Sequence, residues 1–191
     1  MLAVANAARS LDGISSGTTP EDMKKLYVKS NGFDPLRDVV IAESDGQIVG
    51  YARGSWLIEE SGAYLYRQLG FVTPAWRRNG IGRALLEWLE LQQSELAAHH
   101  NGSPQKLFNI FVTQPEIGRV AMLEKAGYGR ARYFFSMLRP DLEKIRSFPL
   151  PAGIEIRPVV PQHYRAIWDI DQEVFASHWG RARVVEGDYE A

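Results

Sequence analysis

The chain has 191 residues, 45% of them hydrophobic, and a formal net charge of −1. These values are typical of a globular domain with a sizeable core, and the near-neutral charge argues against non-specific nucleic-acid binding, for which a basic domain with a concentrated patch is expected. No apolar run reaches the roughly 20 residues that cross a bilayer, and the N-terminal residues lack the pattern of a signal peptide. The absence of cysteine excludes a cysteine nucleophile, a disulfide framework and a thiolate metal site. We therefore expect a cytoplasmic protein without nucleic-acid or membrane partners.

Two short helices are predicted at the start of the chain. Residues 3–11 favour a helix, and Thr18 and Glu21 flank Pro20 in the spacing of a capping box. That signature predicts a second helix, which runs to about residue 30. We expect both helices to lie over a sheet.

A hairpin is predicted after these helices. Residues 38–42 and 47–52 read as strands, and Asp45-Gly46 between them is a dipeptide that favours a tight antiparallel connection. A further turn at residues 59–62 leads into the next strand.

That next strand, at residues 63–73, runs into a glycine-containing loop that opens an amphipathic helix. Arg77, Gly80 and Gly82 give the spacing Arg-x-x-Gly-x-Gly, and glycine lets a ligand approach the backbone closely. The helix begins near Ile81, so its unpaired N–H groups and its partial positive charge face the ligand. The segment therefore predicts a site for a nucleotide pyrophosphate.

Two other phosphate-binding glycine motifs do not match this loop. A P-loop ends in Gly-Lys-Ser or Gly-Lys-Thr, whereas Gly82 is followed by Arg-Ala. A dinucleotide-binding fingerprint requires a third glycine where this chain has Leu85. The remaining alternative is a surface turn with two glycines before a helix, which gives no reason for the strand, the loop and the helix to occur together.

The loop and its flanks have the pattern Val72-x-Pro74-x-x-Arg77-x-x-Gly80-x-Gly82-x-x-Leu85-Leu86. This pattern resembles the acyl-coenzyme A signature of the GNAT acetyltransferase superfamily. Four flanking segments resemble the elements around this signature in the family. Residues 63–73 resemble the fourth strand, and residues 106–113 resemble the fifth. Residues 115–126 resemble the helix that closes the cofactor groove, and Gly127-Tyr128 resembles the Gly-aromatic pair after that helix. The resemblance implies an α/β (mixed α+β) architecture, the GNAT fold. Its central, mostly antiparallel sheet is splayed at the cofactor site and flanked by helices.

The resemblance also implies an N-acetyltransferase, in which an amine directly attacks the thioester of acetyl-CoA. Its partners are then acetyl-CoA and an amine acceptor. The implied cofactor-binding residues lie at the end of the strand, in the loop and in the first helical turn: Phe71, Val72, Thr73, Arg77, Arg78, Asn79, Gly80, Ile81, Gly82 and Arg83. The alternative is a non-catalytic acetyl-CoA-binding or structural repeat of a tandem acetyltransferase.

Three positions depart from the catalytic pattern of the family. The tyrosine that often acts as acid on the helix after the fifth strand is replaced by Leu123. The asparagine that often starts the same helix is replaced by Glu116, and the carboxylate that some members carry on the fourth strand corresponds to Tyr66. A catalytic domain would therefore need its acid and base from other positions.

Five residues are candidate substitutes. Glu59 and Glu60 can act as a base through a water, and Tyr64, Tyr66 or Tyr128 can donate a proton. The alternative for the glutamates is a solvated turn, and for the tyrosines it is ordinary packing with half-buried rings. No metal site is predicted, because the histidines have no partners at metal-ligand spacing.

The last third of the chain resembles the start of another copy of the same fold. Residues 130–138 predict one more strand, and residues 141–152 predict a linker. Residues 153–191 resemble the first strand and first helix of a second GNAT repeat, whereas the domain at residues 1–140 lacks its own first strand. We expect strand 154–160 to fill that vacancy, either in its own chain or by strand exchange in a homodimer. The alternative is that it begins a further domain.

Overall fold

The computed structural model describes residues 1–14, 17–102 and 105–189, and these residues form five α-helices and one four-stranded sheet. The elements follow the chain in the order α1 (Leu2–Leu11), α2 (Pro20–Leu26), β1 (Val39–Ser44), β2 (Gln47–Ile58), β3 (Tyr64–Val72), α3 (Ile81–His99), β4 (Lys106–Ile110), α4 (Ile117–Lys125) and α5 (Tyr164–Phe175). Every helix and strand predicted before residue 127 is present, although several of the ends differ.

The hairpin of β1 and β2 closes where the sequence predicts. Asp45 and Gly46 both have positive φ angles, 49° and 76°, as a tight hairpin turn requires, and Ser44 pairs with Gln47 across it. β2 continues to Ile58, beyond the predicted end at residue 52, because it pairs with β3 over the added length.

The sheet has the order β1-β2-β3-β4 and is antiparallel except for the parallel pair of β3 and β4. That parallel pairing ends where Gln68 lies opposite Ile110, whereas β3 continues to Val72. The two strands therefore separate beyond Gln68, and a gap opens beside the last residues of β3. The predicted splayed, mostly antiparallel sheet is confirmed.

Different helices cover the two faces of the sheet. α1 packs on one face and α3 on the other, because successive side chains of a strand point to opposite sides. The buried residues are Val4, Ala5, Ala8, Tyr51 and Phe71 on the side of α1, and Ala52, Leu85 and Leu89 on the side of α3. α2 has no buried residue, so it does not provide the cover that the sequence led us to expect.

The cap of α2 lies one residue later than predicted. Thr19 accepts a hydrogen bond from the backbone N–H of Asp22 at 3.1 Å, and the carboxylate of Asp22 accepts one from the backbone N–H of Thr19 at 3.0 Å. Thr18 instead exchanges hydrogen bonds with the side-chain amide of Asn6. An aspartate at the third helical position completes the capping box as a glutamate would.

The two strands predicted for the last third of the chain are not formed. Within the described chain, residues 130–138 and 154–160 pair with no strand, and most of their apolar side chains are exposed, including Phe135 at 88% and Ile156 at 81%. A strand needs a neighbour for its backbone hydrogen bonds, and alternation in the sequence does not supply one. The expectation that strand 154–160 completes the sheet of its own chain is therefore wrong.

Residues 181–183 attach to the far end of β2. The backbone N–H of Arg183 donates to the carbonyl of Ile58 at 2.7 Å, and the N–H of Glu60 donates to the carbonyl of Arg181 at 3.1 Å. Glu59 and Ala182 form an isolated antiparallel bridge between them.

Within the residues described, no helix combines the length and the apolar character that spanning a membrane would need.

Candidate functional site

The loop between β3 and α3 leaves the N-terminus of that helix open. Gly80 is the N-cap residue, with a φ of 81°, and no side chain caps the first N–H groups of α3. A Cβ added at Gly80 would have no atom within 4 Å, so the space before the helix is clear. Arg78 also adopts a positive φ, 67°, which bends the loop. Open N–H groups at the start of a 19-residue helix make a site for an anion.

A cavity of about 320 Å³ extends from this loop to the gap between β3 and β4. Its walls come from α1, β3, α3 and α4. Seven of the ten predicted cofactor residues line it: Phe71, Val72, Arg77, Arg78, Gly80, Gly82 and Arg83. The structure therefore brings together most of the residues that the sequence motif selected.

The other three predicted cofactor residues support the loop from behind. Thr73 donates its backbone N–H to the carbonyl of Val49 at 2.8 Å. The side-chain amide of Asn79 donates to the carbonyl of Trp76 at 3.3 Å, and Ile81 packs against the core beneath α3. These contacts fix the shape of the loop.

Arg77 is held by an ion pair that the sequence did not predict. Its guanidinium makes two hydrogen bonds to the carboxylate of Asp12, at 2.7 and 2.8 Å, and a third to the carbonyl of Ala8 at 3.3 Å. Asp12 follows the last residue of α1, so this pair fastens α1 to the loop. The Asp12 carboxylate raises the pKa of Arg77 further above its usual range. The side chain of Arg77 is thus committed to the fold.

The remaining cavity-lining arginines differ in whether a carboxylate neutralises them. Arg83 pairs with Glu87 at 2.7 Å, and Arg119 pairs with Glu116 at 2.8 Å. Within the described part of the chain, Arg78 has no ion-pair partner and is exposed. Arg78 is therefore the uncompensated positive charge at the cavity wall.

Tyr128 takes part in a partly buried polar network at the point where β3 and β4 separate. Its hydroxyl lies 2.7 Å from Oε1 of Gln68 and 2.9 Å from Oε1 of Glu90, so its one proton can be donated to either. Burial, together with the neighbouring Glu90 carboxylate, raises the pKa of Tyr128. The phenol stays protonated at neutral pH. Leu123, at the position of the family's usual tyrosine, is buried in the core instead.

Glu59 and Glu60 lie away from the cavity, at the opposite end of β2. Glu59 is buried and accepts a hydrogen bond from the hydroxyl of Ser61 at 3.1 Å. Its Oε1 is buried and has no hydrogen-bond partner in the described structure. The strand from Tyr64 to Gln68 alone spans about 13 Å, so neither carboxylate reaches the gap through one water. The structure does not bring these two residues together with the loop.

Tyr64 and Tyr66 belong to an aromatic cluster around His100 and likewise do not line the cavity. The ring of Tyr64 stacks on His100 with 4.7 Å between centroids, and the hydroxyl of Tyr66 lies 2.8 Å from Nδ1 of His100. Trp56 completes the cluster, with 4.3 Å between its ring centroid and that of the imidazole.

Within residues 1–14, 17–102 and 105–189, no group of three or more potential metal ligands is arranged to hold an ion.

Sequence reasoning missed three residues of the site, namely Asp12, Glu90 and Arg119. Asp12 lies 65 positions before its partner Arg77, and no local pattern connects them. Glu90 lies 38 positions before Tyr128, so its contact with that hydroxyl is likewise not local in sequence. Glu116 and Arg119 are oppositely charged at positions i and i+3 of a helix, which is a usable signal for an ion pair.

A splayed sheet whose gap meets an open helix N-terminus defines a domain suited to an extended ligand with an anionic end. The chain belongs to the acetyltransferase (GNAT) domain family, whose model matches residues 35–130. The resemblance seen in the loop motif is thereby confirmed. Members of this family use acetyl-CoA as their acyl donor.

Two relatives and one solved structure extend this result. The chain is 29% identical to the mycothiol acetyltransferase of Geodermatophilus obscurus over 93% of this chain and 54% of that protein. It is 28% identical to the mycothiol acetyltransferase of Salinispora arenicola over 100% of this chain and 57% of that one. A GCN5-related N-acetyltransferase from Sphaerobacter thermophilus shares the fold, with a TM-score of 0.66 and 21% identity over 91% of this chain and 54% of its own. The chain spans about half the length of these proteins.

The environment of His100 leads to a prediction about stability. Burial, then the Lys106 ammonium and His99, lower the pKa of His100 below its ordinary 6.5. Below pH 6.5 the unfolded chain binds a proton at this position more readily than the folded one does. We therefore expect the free energy of unfolding to fall as the pH is lowered from 7 to about 5, and we expect this slope to be smaller in His100→Asn. Urea unfolding across that range measures it.

His178 provides the control, because it is exposed on the last third of the chain. His178→Asn should keep the wild-type dependence on pH. Equal slopes for the wild type and His100→Asn would show that the imidazole accepts a proton as easily in the fold as in the unfolded chain.

Proposed function

We propose that this domain is an N-acetyltransferase that takes its acetyl group from acetyl-CoA and gives it to an amine acceptor. One observation carries the proposal: a single cavity runs from the open N-terminus of α3 to the separation of β3 and β4. An acyl-CoA has an anionic diphosphate at one end of a long arm and a thioester at the other, which suits a cavity with one cationic and one apolar end.

The residues present fit this ligand in charge and in shape. Arg78 and the first N–H groups of α3 can hold the diphosphate. The apolar side chains of Leu69, Leu89 and Ile110 line the inner part of the cavity and can exclude water from the arm. Acetyl-CoA, when bound, supplies an activated thioester that an amine can attack.

Replacement of Gly82 tests the binding site. A Cβ at this position would lie 3.4 Å from Sδ of Met122 and 3.9 Å from Val72, both on the cavity wall. Gly82→Glu should therefore obstruct the cavity and add a repelling charge. We expect isothermal titration calorimetry to detect micromolar binding of acetyl-CoA by the wild type and none by Gly82→Glu.

Gly187→Glu adds the same side chain at an open position near the end of the chain. It should bind acetyl-CoA like the wild type. A folded wild-type protein that gives no heat with acetyl-CoA would contradict the proposed function.

Tyr128 is the proton donor that we propose for the reaction. Neither Tyr128 nor Gln68 lines the cavity, but two neighbours of Gln68 in the sheet form its inner end: Leu69 follows it in β3, and Ile110 lies opposite it in β4. Gln68 and Glu90 orient the phenol, and the proton stays at Oη at neutral pH. With the thioester bound at the inner end of the cavity, this hydroxyl would act as general acid and give its proton to the departing thiolate of coenzyme A.

We expect Tyr128→Phe to lower kcat about a hundredfold with little change in acetyl-CoA affinity, because general acid catalysis typically contributes about that much. The measurement is steady-state release of free thiol with an accepted amine. Tyr133→Phe is the matched control, because Tyr133 is 67% exposed and lies five residues later. An unchanged kcat in Tyr128→Phe would remove Tyr128 from this role.

The alternative function is a non-catalytic repeat that binds acetyl-CoA or only shapes a tandem protein. One observation favours it: the buried Leu123 stands where the family often carries its acid. Saturable binding of acetyl-CoA without turnover of any amine would support this alternative. Turnover of one amine would favour the enzyme.

We also propose that two copies of the chain complete each other's sheet by strand exchange. Among the residues that the structure describes, strand β1 pairs on one side only, and Ile41 on it is 47% exposed. Ile154 and Ile156 of the unpaired segment 154–160 are exposed in the same chain. Segment 154–160 of one chain can therefore pair with the open edge of β1 in the other chain.

Light scattering after size-exclusion chromatography tests the exchange. We expect a particle of about twice 21.5 kDa for the wild type and a monomer for Ile156→Asp, because the added charge opposes burial in an interface. Val174→Asp, at a position 65% exposed on α5, is the control and should stay dimeric. A wild-type monomer at all concentrations would contradict the exchange.

A further inference from the structure

Arg119, in the first turn of α4, has one guanidinium nitrogen without a partner. Nη1 donates to Oε1 of Glu116 at 2.8 Å, whereas Nη2 is buried and has no hydrogen-bond partner among the residues described. The side chain is 15% exposed, and the residue lines the cavity. A buried donor left unpaired costs free energy, so a ligand that supplies an acceptor here is favoured.

Glu116 cannot turn to satisfy this second nitrogen. Its Oε2 accepts from the backbone N–H of Thr113 at 2.7 Å and from the hydroxyl of Thr113 at 2.9 Å. Both carboxylate oxygens are thus engaged, one with Thr113 and the other with Arg119. None of the described residues supplies an acceptor to Nη2 in this structure, so the position is open to an acceptor from a ligand.

The charges around Arg119 indicate which kind of acceptor fits. Glu116 neutralises Arg119, and the cavity's other carboxylate, Asp12, neutralises Arg77. An anion beside Nη2 would therefore meet two ion pairs without net charge, which give it no extra attraction to offset the loss of its hydration. A neutral carbonyl oxygen accepts the same hydrogen bond and costs less to remove from water.

We propose that Arg119 donates a hydrogen bond from Nη2 to an amide carbonyl of the pantetheine arm of coenzyme A. This inference rests on the proposed function. Glu116, which stands where the resemblance expects an asparagine, holds the Arg119 guanidinium through its hydrogen bond to Nη1. Arg119 is thereby a residue that sets specificity for pantetheine-containing ligands over nucleotides without that arm.

The test compares coenzyme A with ADP, which has the nucleotide diphosphate but no pantetheine. In isothermal titration calorimetry, Arg119→Met should bind coenzyme A about tenfold more weakly than the wild type, because one charge-assisted hydrogen bond is lost. Its affinity for ADP should be unchanged. The double variant Glu116→Gln, Arg119→Met leaves no unpaired carboxylate and should show the same selective loss, which guards against misfolding of the single variant.

Arg130→Met is the matched control, because Arg130 pairs with Glu124 of the same helix but is exposed and outside the cavity. It should bind both ligands like the wild type. If Arg119→Met and the double variant both bind coenzyme A normally, or lose coenzyme A and ADP equally, the assignment of Arg119 is wrong while the proposed function stands. A wild-type protein that does not bind coenzyme A would overturn both.

Discussion

The separation of β3 from β4 beyond Gln68 is the constraint on which the candidate site depends. Two adjacent parallel strands normally continue their ladder, and a gap between them leaves backbone groups without neighbours. Gln93 of α3 holds the branch point: its side chain accepts from Gln68 at 3.0 Å and donates to the carbonyls of Ser55 and Arg67. The side chain is 1% exposed, so the amide joins α3 to β2 and β3 without competition from water.

The charged residues around the cavity follow from the same geometry. α1 and α4 both line the cavity, and the residue at one end of each helix pairs with an arginine: Asp12, after α1, with Arg77, and Glu116, before α4, with Arg119. These pairs are largely shielded from water, so they hold the walls in position more than they attract an anion. The attraction is left to Arg78 and to the helix N-terminus at the outer end.

Local sequence patterns predicted the parts of the fold that are set locally. The Asp45-Gly46 turn and the loop of Gly80 and Gly82 were identified because backbone conformation at glycine is a property of the residue itself. The ion pair of Asp12 and Arg77 could not be predicted, because it joins residues that only the packing of α1 brings together. Residues 130–138 were predicted as a strand from their alternating apolar and polar residues, but they form none. Alternation favours a strand, yet a strand also needs a neighbouring strand, which a local pattern does not provide.

Gly54 of β2 lies directly against the side-chain amide of Gln93. A Cβ at this position would lie 2.6 Å from Nε2 of Gln93 and 3.3 Å from a methyl group of Leu89. Any larger residue at 54 would displace the amide from the carbonyls that it bridges. Positions 54 and 93 are thus coupled: among homologues that keep the splayed sheet, a glutamine at 93 should occur with glycine at 54, and a side chain at 54 should be accompanied by a shorter residue at 93.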